Sequence, residues 1–391
     1  MRTITDDQRR VRIGRRHALT TRAGSVAEAV AAMTCLHATE PASVYLSAAA
    51  RADASRADID QALYVDRSVV KQLSMRRTLF AYPRDLLPAV WGSAAARVAA
   101  QQHARLAKEV EQHGHAVDGA AWVATAYADV LAHLREHGPT TTQQLREALP
   151  ALELRLSLSP GTTWAAEVSI APRVLTALAA DGSVLRGEND GGWKTSRPRW
   201  TVTEQWLGSP AEPLSEADGY AALVAAWLAT FGPGTEEDVV WWLGATKAAV
   251  RKALAAVGAE QVALQGGTPA WVGPGDIADV GPAAPWAALL PALDPTTMGW
   301  KERGFYLGGH GPAIFDRNGN GGPTAWWDGR IVGSWHQEQS GEVRLALIDD
   351  VGKAGRAALE SEAGRLTSWL DGDVVNTIYQ APMIRELRRT S

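Results

Sequence analysis

A histidine, a hydroxyl and a carboxylate lie close together in the chain at His37, Thr39 and Glu40. A neutral imidazole, with an ordinary pKa of about 6.5, can accept a proton from a bound water at neutral pH. The threonine hydroxyl could hold the same water, and the carboxylate could orient the imidazole or stabilise a nearby positive charge. These residue types therefore suit the activation of water without a metal. The structural alternative is that His37 and Thr39 only cap a helix junction.

The sequence around these three residues predicts a break between two helices. An apolar stripe at helical spacing covers residues 25–37, with Ser25 and Glu28 in a capping-box pattern. Pro41 suits the first turn of a new helix and pushes the residue before it out of the α region. We therefore expect the polar side chains between the two helices to be presented at a helix-to-helix junction.

A second group of candidate residues is basic. Residues 1–110 contain 17 Lys and Arg against 10 Asp and Glu, whereas the rest of the chain contains 22 against 33. The excess of basic residues in this first part of the chain predicts contact with phosphates, because guanidinium groups suit phosphate oxygens. The alternative is a solvated surface. The candidate contacts in this region are Arg15, Arg16, Arg76, Arg77 and Thr78.

The order of patterns predicts an α+β fold of tandem winged-helix domains followed by a small C-terminal β-barrel-like domain. Residues 130–150 and 223–244 share a plan, in which a helix ends at Gly-Pro and a Thr caps a second amphipathic helix. A further helix and a β-like stretch follow each, whereas beyond residue 285 short apolar runs alternate with Gly, Asn and Asp turns. The alternative is a helical scaffold decorated with hairpins. The predicted domains are 1–115, 116–212, 213–280 and 281–391, with linkers at 213–219 and 273–285.

Composition excludes several other classes of protein. Hydrophobic residues make up 46% of the chain, and the single cysteine, Cys35, excludes an intramolecular disulfide framework and a thiolate zinc cluster. His310 and His336 have no ligand spacing around them, so we expect no metal site. No apolar run reaches the roughly 18–20 residues of a membrane span, and the N-terminus lacks the apolar core of a signal peptide. We therefore expect a cytoplasmic protein that does not contact membranes.

Three segments of the chain resemble the AlkZ/YcaQ-like winged-helix DNA glycosylases, and the resemblance extends over nearly its whole length. The first two are HATEPASVYLS, similar to the family's Gln-apolar-Gln-Asp-Pro segment, and MRRTLF, similar to its Met-Arg-x-Thr-apolar-His segment. The third, LDPTTMGWKERGF with FDRNGNGGPTAWWDGRIVGSW, looks like the family's C-terminal signature. His37 and Thr39 stand where the family has its two glutamines, and Phe80 stands where it has a histidine.

The resemblance implies a DNA glycosylase that excises N7- or N3-alkylated purines, including bulky or cross-linked ones. In such an enzyme a water attacks C1′ of the damaged nucleotide, and His37, Thr39 and Glu40 would be the catalytic residues. We expect a monomer that acts on double-stranded DNA without a metal or a small-molecule cofactor. Further DNA contacts are predicted at Trp300, Lys301, Arg303, Arg317 and Asn320.

Two alternatives remain open at the level of sequence. Because both glutamines are replaced, the chain could be a winged-helix DNA-binding protein, for example a regulatory one, without glycosylase activity. A hydrolase acting on another nucleoside-like substrate is the third interpretation, and no residue pattern supports it directly.

Overall fold

The first third of the chain packs helices around a small sheet. The structure is a computed structural model that describes residues 1–158, 166–208 and 212–390. Its first elements are β1 (Thr3–Ile4), α1 (Asp6–Arg16), α2 (Val26–Ala32), β2 (Leu36–His37), α3 (Pro41–Ala49), α4 (Arg56–Asp60), β3 (Val69–Ser74), β4 (Thr78–Pro83), α5 (Leu87–Val90) and α6 (Ala96–Gln112). Strands β2, β4 and β3 form an antiparallel sheet in this order. A π-helical segment joins α5 to α6, so residues 87–112 form one long helix with a local widening.

Local sequence signals determine where several of these helices begin. The side chains of Thr5, Ser25 and Ser55 each accept a hydrogen bond from the backbone N–H three residues later. Pro41 occupies the first turn of α3, where its missing N–H costs no helical hydrogen bond. The helix starts predicted at Ser25 and Pro41 are therefore confirmed.

The predicted helix over residues 25–37 is wrong beyond Ala32. Helix α2 ends there, Thr34 adopts a left-handed φ of 62°, and the chain then extends as β2 to pair with β4. The pairing partner lies more than 40 residues later in the sequence, so local periodicity carries no sign of this strand. The capping box is also incomplete, because Glu28 accepts a hydrogen bond from the backbone N–H of Gly24 and not from that of the cap residue.

The middle of the chain repeats an order of helices followed by a hairpin. The first set is α7 (Gly119–His137), β5 (Thr140–Thr141), α8 (Thr142–Ala148), β6 (Arg155–Leu158), β7 (Ala166–Ser169), α9 (Ala171–Ala180), β8 (Val184–Asn189), β9 (Pro198–Val202) and α10 (Thr203–Leu207). The second set is α11 (Glu216–Phe231), α12 (Glu236–Leu243), α13 (Lys247–Ala256), β10 (Glu260–Leu264) and β11 (Pro269–Val272). The order of elements is as predicted for both segments, whereas the pair β6–β7 was not predicted. The predicted linker at 213–219 is shorter, because Ser215 caps α11 and the helix begins at the next residue.

The N-terminal strand β1 completes the sheet of the second set. It pairs in parallel with β10, which pairs with β11 in antiparallel fashion. The first four residues of the chain therefore share a sheet with residues 260–272. This sheet crosses the predicted division between residues 1–115 and 213–280.

The last part of the chain is a four-stranded sheet covered by a helix. Its elements are β12 (Ala287–Leu290), α14 (Pro295–Met298), α15 (Gly304–Leu307), α16 (Gly311–Ile314), β13 (Thr324–Trp327), β14 (Arg330–Gln337), β15 (Val343–Leu347), α17 (Gly352–Leu370) and α18 (Pro382–Thr390). The strands pair in sequence order as an open antiparallel meander, and α17 packs against it. In place of the expected small β-barrel, the sheet stays open because α17 covers the apolar face that closure would have buried.

One continuous core runs through the three regions. It includes Tyr82 from the first, Trp227 and Phe231 from the second and Trp326 from the third. In the C-terminal sheet, Trp326 and Trp335 are buried and Trp327 is partly buried. The regions are therefore packed together around shared apolar side chains.

Candidate functional site

His37 ends the edge strand β2 and faces an aromatic ring on β4. It stands opposite Phe80 in the antiparallel pair, and the two rings meet edge to face with their centroids 5.4 Å apart. Pairing continues beyond the strand, since the backbone N–H of Ala38 donates to the carbonyl of Leu79 at 2.9 Å. The N-cap residue of α3 is Glu40, and its side chain makes no capping hydrogen bond. His37 is therefore positioned by a sheet, and the structure offers no support for a helix-capping role.

His37 is neutral at physiological pH. Burial of the ring, followed by the positive charge of Arg76, lowers the pKa of His37 to about 4. The backbone N–H of Thr39 donates to Nδ1 at 3.4 Å, a long hydrogen bond. With Nδ1 as acceptor, the neutral ring carries its hydrogen on Nε2. In this tautomer Nε2 donates to a water, whereas proton abstraction by Nε2 requires the hydrogen to move to Nδ1.

Thr39 and Glu40 diverge from His37. Thr39 is exposed at the junction. The carboxylate of Glu40 accepts hydrogen bonds from the hydroxyl of Thr377 and from the backbone N–H of Ile378, both at 2.7 Å. It thus faces a different, smaller cavity beside the C-terminal segment. The predicted role of Glu40 in orienting the imidazole does not fit this geometry, because its oxygens are engaged away from the histidine.

A pocket of about 170 Å³ opens beside His37. Four of the residues predicted from the sequence meet in it: His37, Arg76, Thr78 and Asn320. The lining contains no carboxylate, so Arg76 is its one permanently charged group among the described residues. The remaining lining residues are Cys35, Phe80, Trp242, Leu293, Pro295 and Met298.

Arg76 enters the pocket from a strained turn between β3 and β4. Its backbone has φ 54° and ψ 28°, and Arg77 follows with φ 58°, both in the left-handed region that non-glycine residues seldom adopt. The guanidinium of Arg76 lies 4.4 Å from the ring centre of Trp241, and that of Arg303 lies 5.1 Å from the same ring. Arg303 also stacks on Phe315 at 4.3 Å. Aromatic stacking therefore holds two cations near each other at the rim of the pocket.

The neighbours of Arg303 in the predicted signature have other roles. Trp300 is only 2% exposed, and its indole N–H donates to the carbonyl of Phe231 at 3.0 Å. Lys301 is exposed, and its ammonium pairs with Glu237 at 3.0 Å. Of the three residues, only Arg303 reaches the rim with Arg76. Direct DNA contact by Trp300 does not fit its burial in the core.

Two predicted DNA contacts on α1 hold an internal segment of the chain. Arg16 binds Asp276 at 2.6 Å and the carbonyl of Gly232 at 2.7 Å. Arg15 donates to the carbonyl of Pro282 at 2.9 Å. These guanidinium groups therefore fasten the segment near residues 273–285 to α1, and neither of them lines the pocket of His37.

The loop after α16 is a closed turn that brings one predicted residue to the pocket. Asp316 accepts hydrogen bonds from the backbone N–H of Asn318 at 2.8 Å and from the side-chain amide of Asn320 at 2.9 Å. Asn320 lines the pocket. Arg317 is exposed and has no hydrogen bond or ion pair to any described residue, so it remains available to a partner.

A buried ion pair that the sequence analysis missed fixes one wall of the pocket. Arg51, in the turn just after α3, binds both carboxylate oxygens of Asp294, at 2.7 and 2.9 Å, and neither side chain is exposed. Asp294 also caps α14 through the backbone N–H of Thr296 and accepts from the hydroxyl of Ser47. The Asp-Pro-Thr sequence is a recognisable helix start, but nothing in it points to a partner on α3.

A family model described as DNA glycosylase AlkZ-like matches residues 30–369. The chain belongs to the AlkZ-like DNA glycosylase family. Among solved structures, the DNA glycosylase AlkZ of Streptomyces sahachiroi is similar with a TM-score of 0.72 and 19% identity, over 95% of this chain and 97% of that one. The comparison with curated proteins finds no match.

The imidazole of the pocket comes from β2, and Phe80 stands opposite it on β4. Within residues 1–158, 166–208 and 212–390, no group of three His, Cys, Asp or Glu side chains is placed to hold a metal ion. Over the same residues, no helix has the length and apolarity to cross a membrane.

Proposed function

We propose that this chain is a DNA glycosylase that removes alkylated purines from double-stranded DNA by water attack at C1′. The observation that carries the proposal is the convergence of His37, Arg76, Thr78 and Asn320 on one pocket in an AlkZ-like chain. The expected substrates are N7- and N3-alkylated purines, including bulky adducts. We expect the protein to act as a monomer on chromosomal DNA in the cytoplasm.

The chemistry makes modest demands on the protein. Alkylation at N7 or N3 puts a positive charge on the base, so the base leaves easily and the sugar becomes oxocarbenium-like. The protein must then place a water at C1′ and stabilise the developing charge. Neutral His37 holds that water through a ring nitrogen, and Thr78 and Asn320 add polar groups to the same pocket. Because the pocket lining has no carboxylate, the nearest negative charges to the sugar are the phosphates of the DNA itself.

Support for DNA contact comes from the rim of the pocket. Arg76 and Arg303 share the ring of Trp241, and no carboxylate of the described residues is paired with Arg76. Guanidinium groups that are stacked and free of carboxylates have donors left for phosphate oxygens. We further propose that the repeated helix and hairpin units of residues 1–115, 116–212 and 213–280 are winged-helix domains that form the DNA channel with residues 281–391.

The test is base release from defined duplexes. The protein is incubated with duplexes containing N7-methylguanine or a bulky N7 adduct, and alkali then cleaves the strand wherever an abasic site has formed. We expect strand cleavage at the lesion that depends on the protein and on His37. If neither duplex shows cleavage above the rate without protein, the glycosylase proposal fails.

A DNA-binding protein without glycosylase activity is the second candidate. It is favoured by the replacement of both family glutamines and by the Nδ1-acceptor tautomer of His37, which presents a donor rather than a base. The two candidates differ in one result of the same experiment. A binding protein would shift the duplex in a gel and leave the modified base in place.

A further inference from the structure

The turn formed by Met75–Arg77 sends two consecutive arginines to different sites. The turn packs against α12 on one side and against α6 on the other. Arg76 stacks on Trp241 of α12 and lines the pocket of His37. Arg77 lines a separate groove at α6 and α9. The Cα atoms of consecutive residues are only about 3.8 Å apart, so the two sites lie on either side of one turn.

The groove at α6 and α9 is built mainly from cationic side chains. It has a volume of about 250 Å³, and its charged residues are Arg77, Arg105, Arg173 and Glu109. Glu109 binds the Nε of Arg105 at 2.8 Å and Nη1 of Arg173 at 2.6 Å. The carboxylate is thus saturated by two guanidinium groups, and the groove retains an excess of positive charge.

Several donors in the groove remain free. Arg77 is exposed and has no hydrogen bond or ion pair from its side chain to any residue that the structure describes. Arg105 uses only Nε within the described residues, so both of its terminal nitrogens are available. Gln102 and Thr176 add polar groups to the same lining. Glu109 holds Arg105 and Arg173 in place, and this order reduces the conformational entropy lost when they bind an anion.

We propose that this groove binds a backbone phosphate of the DNA strand that carries the lesion, next to the nucleotide in the pocket of His37. The proposal rests on the proposed function for the presence of DNA. Three guanidinium groups converge there, and their forked donors match phosphate oxygens. The DNA strand then crosses the Met75–Arg77 turn. Arg76 lies on the side of the lesion, and Arg77 lies on the side of the groove.

The experiment compares Arg105→Ala with a matched control, Arg356→Ala. Both arginines are exposed on helices, at 51% and 62%, and each pairs with a glutamate one turn later. Binding of an undamaged duplex is measured by fluorescence anisotropy between about 50 and 200 mM salt. For Arg105→Ala we expect about tenfold weaker binding and a salt slope that is smaller by about 0.9, the value for one lost phosphate contact. The control should match the wild type in both.

The maximal rate of base release separates this proposal from the proposed function. At saturating protein, Arg105→Ala should release base as fast as the wild type, because the groove binds the backbone and does not touch the reacting atoms. Arg77→Ala, which keeps a non-glycine residue in the left-handed turn, should show the same pattern as Arg105→Ala. If the duplex affinity and its salt slope are unchanged in both variants, the groove does not bind a phosphate. A lower maximal rate with an unchanged salt slope would contradict the proposal as well. If the variants have a smaller salt slope but the wild type releases no base, the phosphate site is supported and only the glycosylase proposal fails.

Discussion

At the scale of single residues, the charge state of His37 sets the acid limit of the reaction. Burial and the neighbouring Arg76 hold its pKa at about 4, below the ordinary 6.5. We expect the single-turnover rate of base release to stay constant as the pH falls from about 8 to about 5, and to drop as the pH passes through about 4. Below that pH the protonated ring can accept neither a proton nor a hydrogen bond. The rate without protein is subtracted at each pH, and a midpoint near 6.5 would contradict the buried, neutral histidine.

Substitutions at His37 distinguish a proton acceptor from a residue that only holds water. His37→Ala should lower single-turnover base release by about 10²–10⁴-fold, the usual range for a lost general base, and leave duplex binding nearly unchanged. His37→Gln keeps hydrogen-bonding groups but cannot accept a proton. A rate near that of the wild type for this variant would assign water positioning, and a rate near that of the alanine variant would assign proton transfer.

Thr39 provides a milder companion variant to the His37 series. Thr39→Val preserves the shape of the side chain and removes the hydroxyl, so we expect a smaller loss of base release than for His37→Ala. Thermal unfolding of the variants serves as the control. If base release is unchanged and the fold is markedly less stable in either case, the residue has a structural role.

At the scale of elements, the ion pair between Arg51 and Asp294 joins the turn after α3 to the loop that lines the pocket. Asp294→Asn should destabilise the protein by about 3–5 kcal/mol, because it leaves a guanidinium buried without its counter-charge. The double variant with Arg51→Met should lose less than the sum of the two single variants. Urea unfolding measures these free energies. Additive losses would show that the two side chains do not interact, contrary to the bidentate geometry.

The elements that the sequence predicted are those with local signals. The cap at Ser25 marks the start of α2, and the Thr caps at Thr141 and Thr235 mark the starts of α8 and α12 in the repeated segments. Strand β2 was missed because it is two residues long and is defined only by its pairing with β4. The parallel pairing of β1 with β10 joins residues about 260 apart, and no local pattern encodes such a partner.

The residues of the candidate site also divide into those that the sequence predicted and those that it missed. His37, Arg76, Thr78 and Asn320 follow from motifs that resemble the family, and the structure brings them to one pocket. Trp241 was missed, because a tryptophan in an amphipathic helix is usually a core residue and its two stacked guanidinium groups come from distant segments. Glu40 was predicted to orient His37, but its carboxylate turns toward the C-terminal segment. Closeness in sequence gives no sign of this direction.

At the scale of the whole molecule, the basic excess of residues 1–110 is not a surface excess. Arg12 and Arg16 pair with Asp276, Arg51 with Asp294, and Arg56 with Asp373. Each of these carboxylates comes from the acidic later part of the chain. The charge asymmetry along the sequence is thus largely neutralised on folding, and Arg76 and Arg77 are among the few arginines of the first region that keep free donors.

His17 links the stability of the whole molecule to pH. It is fully buried, with Nδ1 2.9 Å from the hydroxyl of Thr296 and Nε2 3.2 Å from the carbonyl of Thr230, so it joins α1 to the second and third regions. Burial, with a smaller contribution from the charge of Arg51, lowers its pKa to about 3 from the ordinary 6.5. The unfolded chain therefore takes up a proton near pH 6.5 that the folded chain refuses. This contribution to stability is complete above that pH and is lost as the pH falls further.

The free energy of unfolding should then decrease by up to about 1.4 kcal/mol for each pH unit below about 6, for each histidine of this kind. His37 acts in the same direction, whereas the surface residue His113, whose pKa is raised by hydrogen bonds to backbone carbonyls, acts in the opposite one. Urea unfolding at about pH 7, 6 and 5 measures the slope. In His17→Asn the change in unfolding free energy per pH unit should be smaller by the contribution of one titrating group. The amide keeps a donor and an acceptor but does not titrate. Equal slopes in the variant and the wild type would mean that the folded protein protonates His17 as readily as the unfolded chain does.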